Sequence, residues 1–335
     1  MFSKHVPRRA MSKDLPLVSI ALCTFNGARY LRAQLDSLLA QTYRNIEIIA
    51  LDDGSSDATL DILNEYRRCD TRLQVASNPR NLGLAKNFER AITMCRGDFI
   101  APCDQDDIWL PEKLGTLYEA LGQHSLAYCD SEFVDEDGRG LGTTMSDNCT
   151  MVSSDDPIIF AAANCVAGHA MLVRREIVAR ALPIPPHFYY DWWLAAVAAS
   201  ADGVVYCDRP LVKYRLHAHN ATNHLRAQSP AKRRGHRYLQ LEQFRLRLES
   251  LAMLPGRNRA VIERLRDLWR AREQQWISPA LALFIFRHGP RIFALQRPRP
   301  RRLQHALKFS IGLRSKRISN PSAYARGESI EDASP

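Results

Sequence analysis

Apolar and polar positions alternate between two periods over the first hundred residues. Val18-Ser19-Ile20-Ala21-Leu22-Cys23 is an apolar run that reads as a buried strand. Leu31, Leu35, Leu38 and Leu39 then recur on one face of a helix. Ile46 to Leu51 reads as a second strand, and Ser55-Ser56-Asp57 supplies helix N-cap candidates before a helix through Tyr66. A third short strand at 73–76, a helix from 84 to 95 and a strand at 98–101 complete the series. This spacing predicts an α/β fold, a Rossmann-like, mixed but mostly parallel sheet flanked by helices. Ligands of such sheets bind beyond the carboxyl ends of the strands. Three polar clusters fall there: Thr24-Phe25-Asn26, Asp52-Asp53-Gly54-Ser55 and Asp104-Gln105-Asp106-Asp107.

The next stretch has a mixed pattern. Strands are predicted at 126–129, 132–134, 204–207 and 211–216, with a polar loop at 143–157 and a helix over 191–200. From about Pro230 the chain changes to Arg/Leu-rich helices without strand signals. The predicted organisation is an α/β unit at 16–225, a basic helical extension at 226–319 and a disordered tail at 320–335.

Composition changes this picture in one respect. The net charge is +10 over 335 residues, with ordinary hydrophobic (46%) and charged (24%) fractions. From Arg226 onward there are 24 Lys and Arg against 8 Asp and Glu, whereas residues 1–225 carry 22 against 28. An acidic front joined to a basic tail implies two tasks. Eight scattered cysteines without a Cys-x-x-Cys pair fit a reducing compartment better than a disulfide framework or zinc site. No signal peptide and no membrane-spanning run is expected, which points to a cytoplasmic protein.

The acidic run carries the most chemistry. Three carboxylates in four residues repel one another at a strand end unless a cation sits among them. Mg²⁺ or Mn²⁺ accepts carboxylate oxygens together with substrate phosphates. An isolated acidic triplet would read as a solvated turn, but the apolar strand before it and Trp109 after it favour a metal that holds a diphosphate. Phe25 beside Asn26 offers a face for a flat base, and Asp53 an acceptor for a pyrimidine N–H. Taken alone, Asp52-Asp53-Gly54-Ser55 reads as an acidic turn. The Gly-x-Gly-x-x-Gly and Gly-x-x-x-x-Gly-Lys-Ser/Thr loops of dinucleotide-binding and P-loop proteins are missing. Asp191 stands between Tyr189-Tyr190 and Trp192-Trp193, where a low dielectric raises a carboxyl pKa and suits it to act as a base. A helix-capping Asp before a buried Trp pair is compatible with that role. Arg215 and His217 alternate onto one strand face, within reach of a phosphate or metal.

These blocks, together with Gln41 to Ile49, Asn81-Leu82-Gly83 and Tyr214-Arg215-Leu216-His217, resemble glycosyltransferase family 2 in order and spacing over about residues 16–222. Within it the chain is most similar to rhamnosyltransferase-like members that build bacterial surface polysaccharides. The resemblance implies the GT-A fold, inversion at the anomeric carbon, a divalent ion (Mg²⁺ or Mn²⁺) and a nucleotide-diphospho-sugar donor, UDP- or dTDP-linked. It implies Asp191 as catalytic base. It implies Thr24, Phe25, Asn26, Asp53, Asn81, Lys86, Asp104 and Arg215 around the donor, and Asp104, Asp106 and His217 on the metal. Phe25 replaces the Tyr of many members, keeping the stacking face without the hydroxyl. The implied acceptor is a surface-polysaccharide or lipid-linked glycan. A metal-dependent nucleotide-sugar phosphohydrolase and a non-catalytic nucleotide-sugar binding protein are the alternatives.

Residues 277–317 interleave apolar patches with Arg287, Arg291, Arg297, Arg299, Arg301 and Arg302. Such segments suit the surface of an anionic membrane. A solvated Arg-rich cap on the catalytic unit weighs equally. A nucleic-acid partner is not expected, because no reader motif accompanies the charge.

Overall fold

A computed structural model describes residues 15–217, 232–272, 274–296, 304, 307 and 308. The Arg cluster at 297–302 and the tail at 320–335 lie outside the described residues. The elements run β1 (Val18–Thr24), α1 (Ala28–Leu39), β2 (Ile46–Asp52), α2 (Thr59–Cys69), β3 (Leu73–Ser77), α3 (Leu84–Met94), β4 (Phe99–Cys103), β5 (Ile108–Trp109) and α4 (Lys113–Leu121). They continue with β6 (Leu126–Val134), β7 (Gly140–Thr144), α5 (Met145–Asn148), β8 (Met171–Arg174), α6 (Arg175–Ala181), α7 (Tyr190–Ser200) and β9 (Val204–Arg215). Three helices close the chain: α8 (Lys232–Met253), α9 (Arg259–Arg272) and α10 (Pro279–Ile292).

One mixed sheet has the order β3-β2-β1-β4-β8-β6-β9-β5, with β7 on β6. β3, β2, β1 and β4 are parallel, β8 is antiparallel to β4 and β6, and β6 is parallel to β9. All seven residues of β1 are buried, as expected of a strand covered on both faces. Val18, Ile20 and Leu22 face one core layer with Leu31, Leu35 and Leu38 of α1, while Ala21 and Cys23 face the other with α3 and α7. That second layer is continuous with Leu248, Leu265, Trp269, Leu281 and Ile285 of α8 to α10.

Two predicted strand pairs are single long strands. β6 runs from 126 to 134 and β9 from 204 to 215, their register shifting near Cys129–Ser131 opposite Pro210. Bulges keep such strands paired while turning them, and local sequence reads the bulge as a break. The loop predicted at 143–157 contains α5, opened by a capping box between Thr144 and Asp147. All eight cysteines are free thiols. No described helix is long and apolar enough to cross a membrane.

Candidate active site

Parallel register brings the predicted clusters to one edge. Thr24 pairs with Asp52, Asp52 with Ser77 and Leu22 with Cys103, so the ends of β1 to β4 and the residues after them are neighbours. The Thr24 hydroxyl donates to Asp52 Oδ1 (3.0 Å), and the backbone N–H groups of Gly54 and Ser55 donate to Asp52 Oδ2 (3.1 and 2.9 Å). Asp52 thus organises the turn. Asp53 is buried and accepts from Asn78 Nδ2 (2.5 Å) and from the backbone N–H groups of Leu82 and Gly83 (both 2.9 Å). Its carboxylate ties β2 to the 78–83 loop. The positive φ of Asn26 (47°) suits a residue whose Oδ1 accepts from the backbone N–H of Ser56 (2.8 Å). Phe25 stays 43% exposed and keeps a ring face free at the rim.

Gln105, which sequence reasoning left without a role, brackets Phe25: its Oε1 accepts from Phe25 N–H (2.8 Å) and its Nε2 donates to Phe25 carbonyl (3.0 Å). A Cβ on Gly27 would stand 2.1 Å from Gln105 Oε1, so only glycine leaves that bracket its room. Asn81 Oδ1 accepts from Gly83 N–H (2.9 Å), while Lys86 is exposed with its Nζ 3.3 Å from Glu89. Asn81 belongs to the loop that Asp53 ties to β2, its backbone N lying 3.2 Å from where a Cβ on Gly54 would stand, whereas Lys86 stands on α3.

The acidic run divides between two imidazoles. Asp106 Oδ2 meets His217 Nε2 at 2.8 Å, and the Asp106 carbonyl accepts from Arg215 Nε (2.8 Å). Asp104 and Asp107 turn instead toward His169, whose Nδ1 lies 3.7 and 3.6 Å from their carboxylates. Arg215 is buried, donates to the Glu136 carbonyl (2.7 Å) and lies 4.8 Å from the Tyr30 ring centroid, so it clamps the acidic loop to β9. The expected set of Asp104, Asp106 and His217 therefore forms two adjacent donor groups, with Asp107 and His169 as members that sequence reasoning missed. The signal for His169 was faint: one imidazole in the apolar 158–173 stretch, which alone reads as a core residue. Gly168 before it is required, since a Cβ there would lie 1.8 Å from the Tyr190 hydroxyl.

The electrostatics follow from burial. Loss of hydration raises the Asp107 carboxyl pKa, and the neighbouring Asp106 and Asp104 charges add to this. Burial lowers the His169 pKa, but the Asp107 and Asp104 carboxylates outweigh it and the net direction is up. Lys113 is pushed down to about 7 by burial; its Nζ lies 2.9 Å from the Trp109 ring centroid and donates to the His169 carbonyl (2.5 Å). Asp107 Oδ2 is buried without a hydrogen-bond partner among the described residues. Asp104, Asp107 and His169 offer ligand atoms within 4.8 Å of one another. An orphaned carboxylate oxygen, further carboxylates and imidazoles suit a hard or borderline divalent cation. The residues present fit such an ion.

Asp191 occupies the first turn of α7, accepting from Trp192 N–H (2.6 Å). Its pKa is pushed up to about 7, first by burial and further by the Asp104 charge, with the N–H of Trp192, His169 and the N–H of Gly168 opposing. Asp104 and His169 act electrostatically on Asp191, so the α7 carboxyl neighbours the acidic run. Tyr190 beside it stacks on Phe88 (4.1 Å between centroids), which fixes this end of the helix.

The sequence model described as "Glycosyl transferase family 2" matches residues 19–181. An uncharacterized glycosyltransferase of Haemophilus influenzae is 37% identical over 110 residues, covering 32% of this chain and 34% of its own length. EpsH of Bacillus subtilis is 32% identical over 219 residues, 61% of this chain and 62% of that protein. The chain thus spans about a third to two thirds of these relatives. Among solved structures, S. aureus TarS 1–349 in complex with UDP-GlcNAc superposes with a TM-score of 0.58 at 17% identity, covering 94% of this chain and 93% of that one. Residues 19–181 are thus similar to glycosyl transferase family 2, and they sit on a GT-A fold.

Proposed function

We propose that the protein is an inverting glycosyltransferase, moving a sugar from a nucleoside-diphospho-sugar to an acceptor hydroxyl. The observation that carries this reading is a position: Tyr190, next to Asp191 on α7, abuts Gly168, and His169 beside that glycine reaches the carboxylates of Asp104 and Asp107; burial in addition pushes the Asp191 pKa up to about 7. A base of that strength accepts a hydroxyl proton near neutral pH, whereas an ordinary aspartate would be too weak. Asp191 takes the acceptor proton as the oxygen attacks the anomeric carbon from the face opposite the diphosphate. Phe25 offers its exposed face to the base, with Thr24, Asn26 and Asp53 shaping the turn beneath it. Asp104, Asp106 and His217, with Asp107 and His169 behind them, would hold Mg²⁺ or Mn²⁺. When bound, the ion supplies positive charge to the departing diphosphate. Arg215 positions this loop from behind. Asn81 and Lys86 border the cleft from the 81–86 segment.

The TarS structure contains UDP-GlcNAc and a Pyrobaculum calidifontis mannosyltransferase structure contains GDP-Man and Mn²⁺, which supports a nucleoside-diphospho-sugar donor; a UDP- or dTDP-sugar is the donor we propose. The proposed acceptor is a surface-polysaccharide or lipid-linked glycan, with rhamnose among the candidate sugars. Incubating the protein with UDP- and dTDP-sugars and Mn²⁺, with and without glycan acceptors, tests the activity. Transfer with inversion supports it, and sugar release that no acceptor alters would instead indicate a hydrolase.

We also propose that residues 16–225 form the transferase unit, that α8 to α10 cover it, and that α10 touches the inner face of an anionic membrane. Trp276, Ile277, Leu283 and Phe286 are exposed on and before α10, with Arg287 beside them. Aromatic and aliphatic groups flanked by Arg suit a lipid interface. Flotation of the full chain with phosphatidylglycerol vesicles, compared with a Trp276→Ser/Leu283→Gln/Phe286→Gln variant, decides it. Equal flotation removes the membrane contact.

A further inference from the structure

Arg247, on α8, stands out among the described arginines. Its guanidinium carbon lies 3.9 Å from the Trp192 ring centroid and 5.9 Å from that of Phe188. Its Nε is buried with no hydrogen-bond partner among the described residues. Other arginines of these helices are neutralised: Arg245 of α8 by Glu242 and Glu249, and Arg270 of α9 by Glu249. No carboxylate pairs with Arg247 among the described residues. Burial lowers its pKa to about 10, so the charge sits where water is scarce.

The surroundings point the same way. Trp192 is held in place by its Nε1, which donates to the Phe160 carbonyl (2.6 Å), so the platform under Arg247 is rigid. Tyr189, 60% exposed, is near enough to act electrostatically on the guanidinium. His187, which meets Ser250 Oγ at 2.8 Å, lies near enough for Arg247 and Arg245 to depress its pKa after burial has done so. A cation stacked flat on an indole keeps its edge N–H groups for a planar, bidentate oxyanion. A buried donor left unpaired is costly, and an anion meeting this guanidinium would relieve part of that cost. Trp192 adjoins the base Asp191, whereas the donor diphosphate is assigned to the strand ends. The guanidinium therefore lies at the α7 end of the fold, against the helix that carries Asp191, and not at the strand ends.

We propose that Arg247, lying on Trp192 at the foot of the helix that carries Asp191, binds an oxyanion of the acceptor, a phosphate or a carboxylate, and so selects anionic acceptors. This rests on the transferase reading above. The test is calorimetric titration of the full chain with Mn²⁺, with and without UDP, using glucose 6-phosphate, glucuronate and glucose as probes. Wild type binds at least one anionic probe tenfold or more tightly than glucose. Which anion binds distinguishes a phosphate from a carboxylate acceptor. Arg247→Ala loses at least tenfold for that probe, and Arg247→Lys, which keeps the charge without the fork, falls between. Both variants keep UDP binding within twofold, which shows that they are folded. Anion binding by Arg247→Ala within twofold of wild type, or glucose binding as well as both anions, overturns the proposal. Failure of wild type to bind UDP counts against the transferase reading and is read from a separate titration.

Discussion

Asp191 shows how one residue's surroundings set its chemistry. A carboxyl poised at about 7 is half ionised near neutrality, so the transfer rate should climb with pH and level off above that value. Below it, kcat should fall about tenfold per pH unit, because only the ionised form accepts a proton. Asp191→Asn should keep donor binding while transfer drops by roughly 10²–10⁴-fold. The stability consequence has the opposite sign. The folded pKa lies above the ordinary aspartate value, so burial of Asp191 is tolerated best when it is protonated, and that advantage is lost as pH rises through about 7. In metal-free protein, Asp191→Asn should therefore become progressively more stable than wild type as pH rises from about 4 to about 7, with a constant margin above. Thermal melts across that range check it, and identical pH dependence of the two proteins would contradict the buried-carboxyl account. The aromatic neighbours of Asp191 made its raised pKa readable from sequence. His169 was not readable, because nothing local separates a core imidazole from one that a distant loop brings to Asp104 and Asp107. Asp53 and Asn26 were found as strand-end residues, but their present hydrogen bonds, made to loops remote in sequence, could not be read from the chain.

At the scale of elements, short loops hold the site more than the strands do. The Gln105 bracket joins the end of β1 to the acidic run through two bonds, and Gly27 leaves it space. Gly27→Ala should expel the amide and cost about 1–3 kcal/mol, since a net hydrogen bond contributes about 0.5–1.5 kcal/mol. Urea melts measure that loss, and nucleotide titration should show weaker donor binding in parallel. Gly168→Ala is expected to be harsher for catalysis than for folding. The added methyl collides with the buried Tyr190, whose ring is locked against Phe88, so α7 must shift and carry Asp191 with it. Overpacking of this kind costs about 1–3 kcal/mol. A variant that melts near wild type yet loses most of its kcat would match; unchanged kcat would not. The alternation of period in the sequence revealed β1 to β4 and their helices. The bulges of β6 and β9 were hidden, because a register shift depends on the partner strand.

On the scale of the whole molecule, composition separated an acidic front from a basic end, and packing rejoins them. The apolar layer that covers α3 and α7 runs without interruption into Leu248, Leu265, Trp269 and Leu281. Leu248→Ala, at a fully buried position, should cost about 2–5 kcal/mol and shift a single cooperative unfolding transition in chemical denaturation. Two separate transitions, only the later one unaffected, would instead mean that the helical end melts independently. Charge counting could not reveal this union, because Arg-rich helices show the same polar faces whether they stand apart or lean on a sheet.

The continuity between α7 and the closing helices also constrains how such proteins diversify. The Asp191-bearing helix neighbours the acidic run and meets Arg247 of α8 through Trp192. Grafting the helical end of a relative onto this chain, to exchange acceptor range, would leave Trp192 facing a foreign surface. Functional chimeras should arise mainly when the junction is placed before Pro185, so that helix and buttress are inherited together.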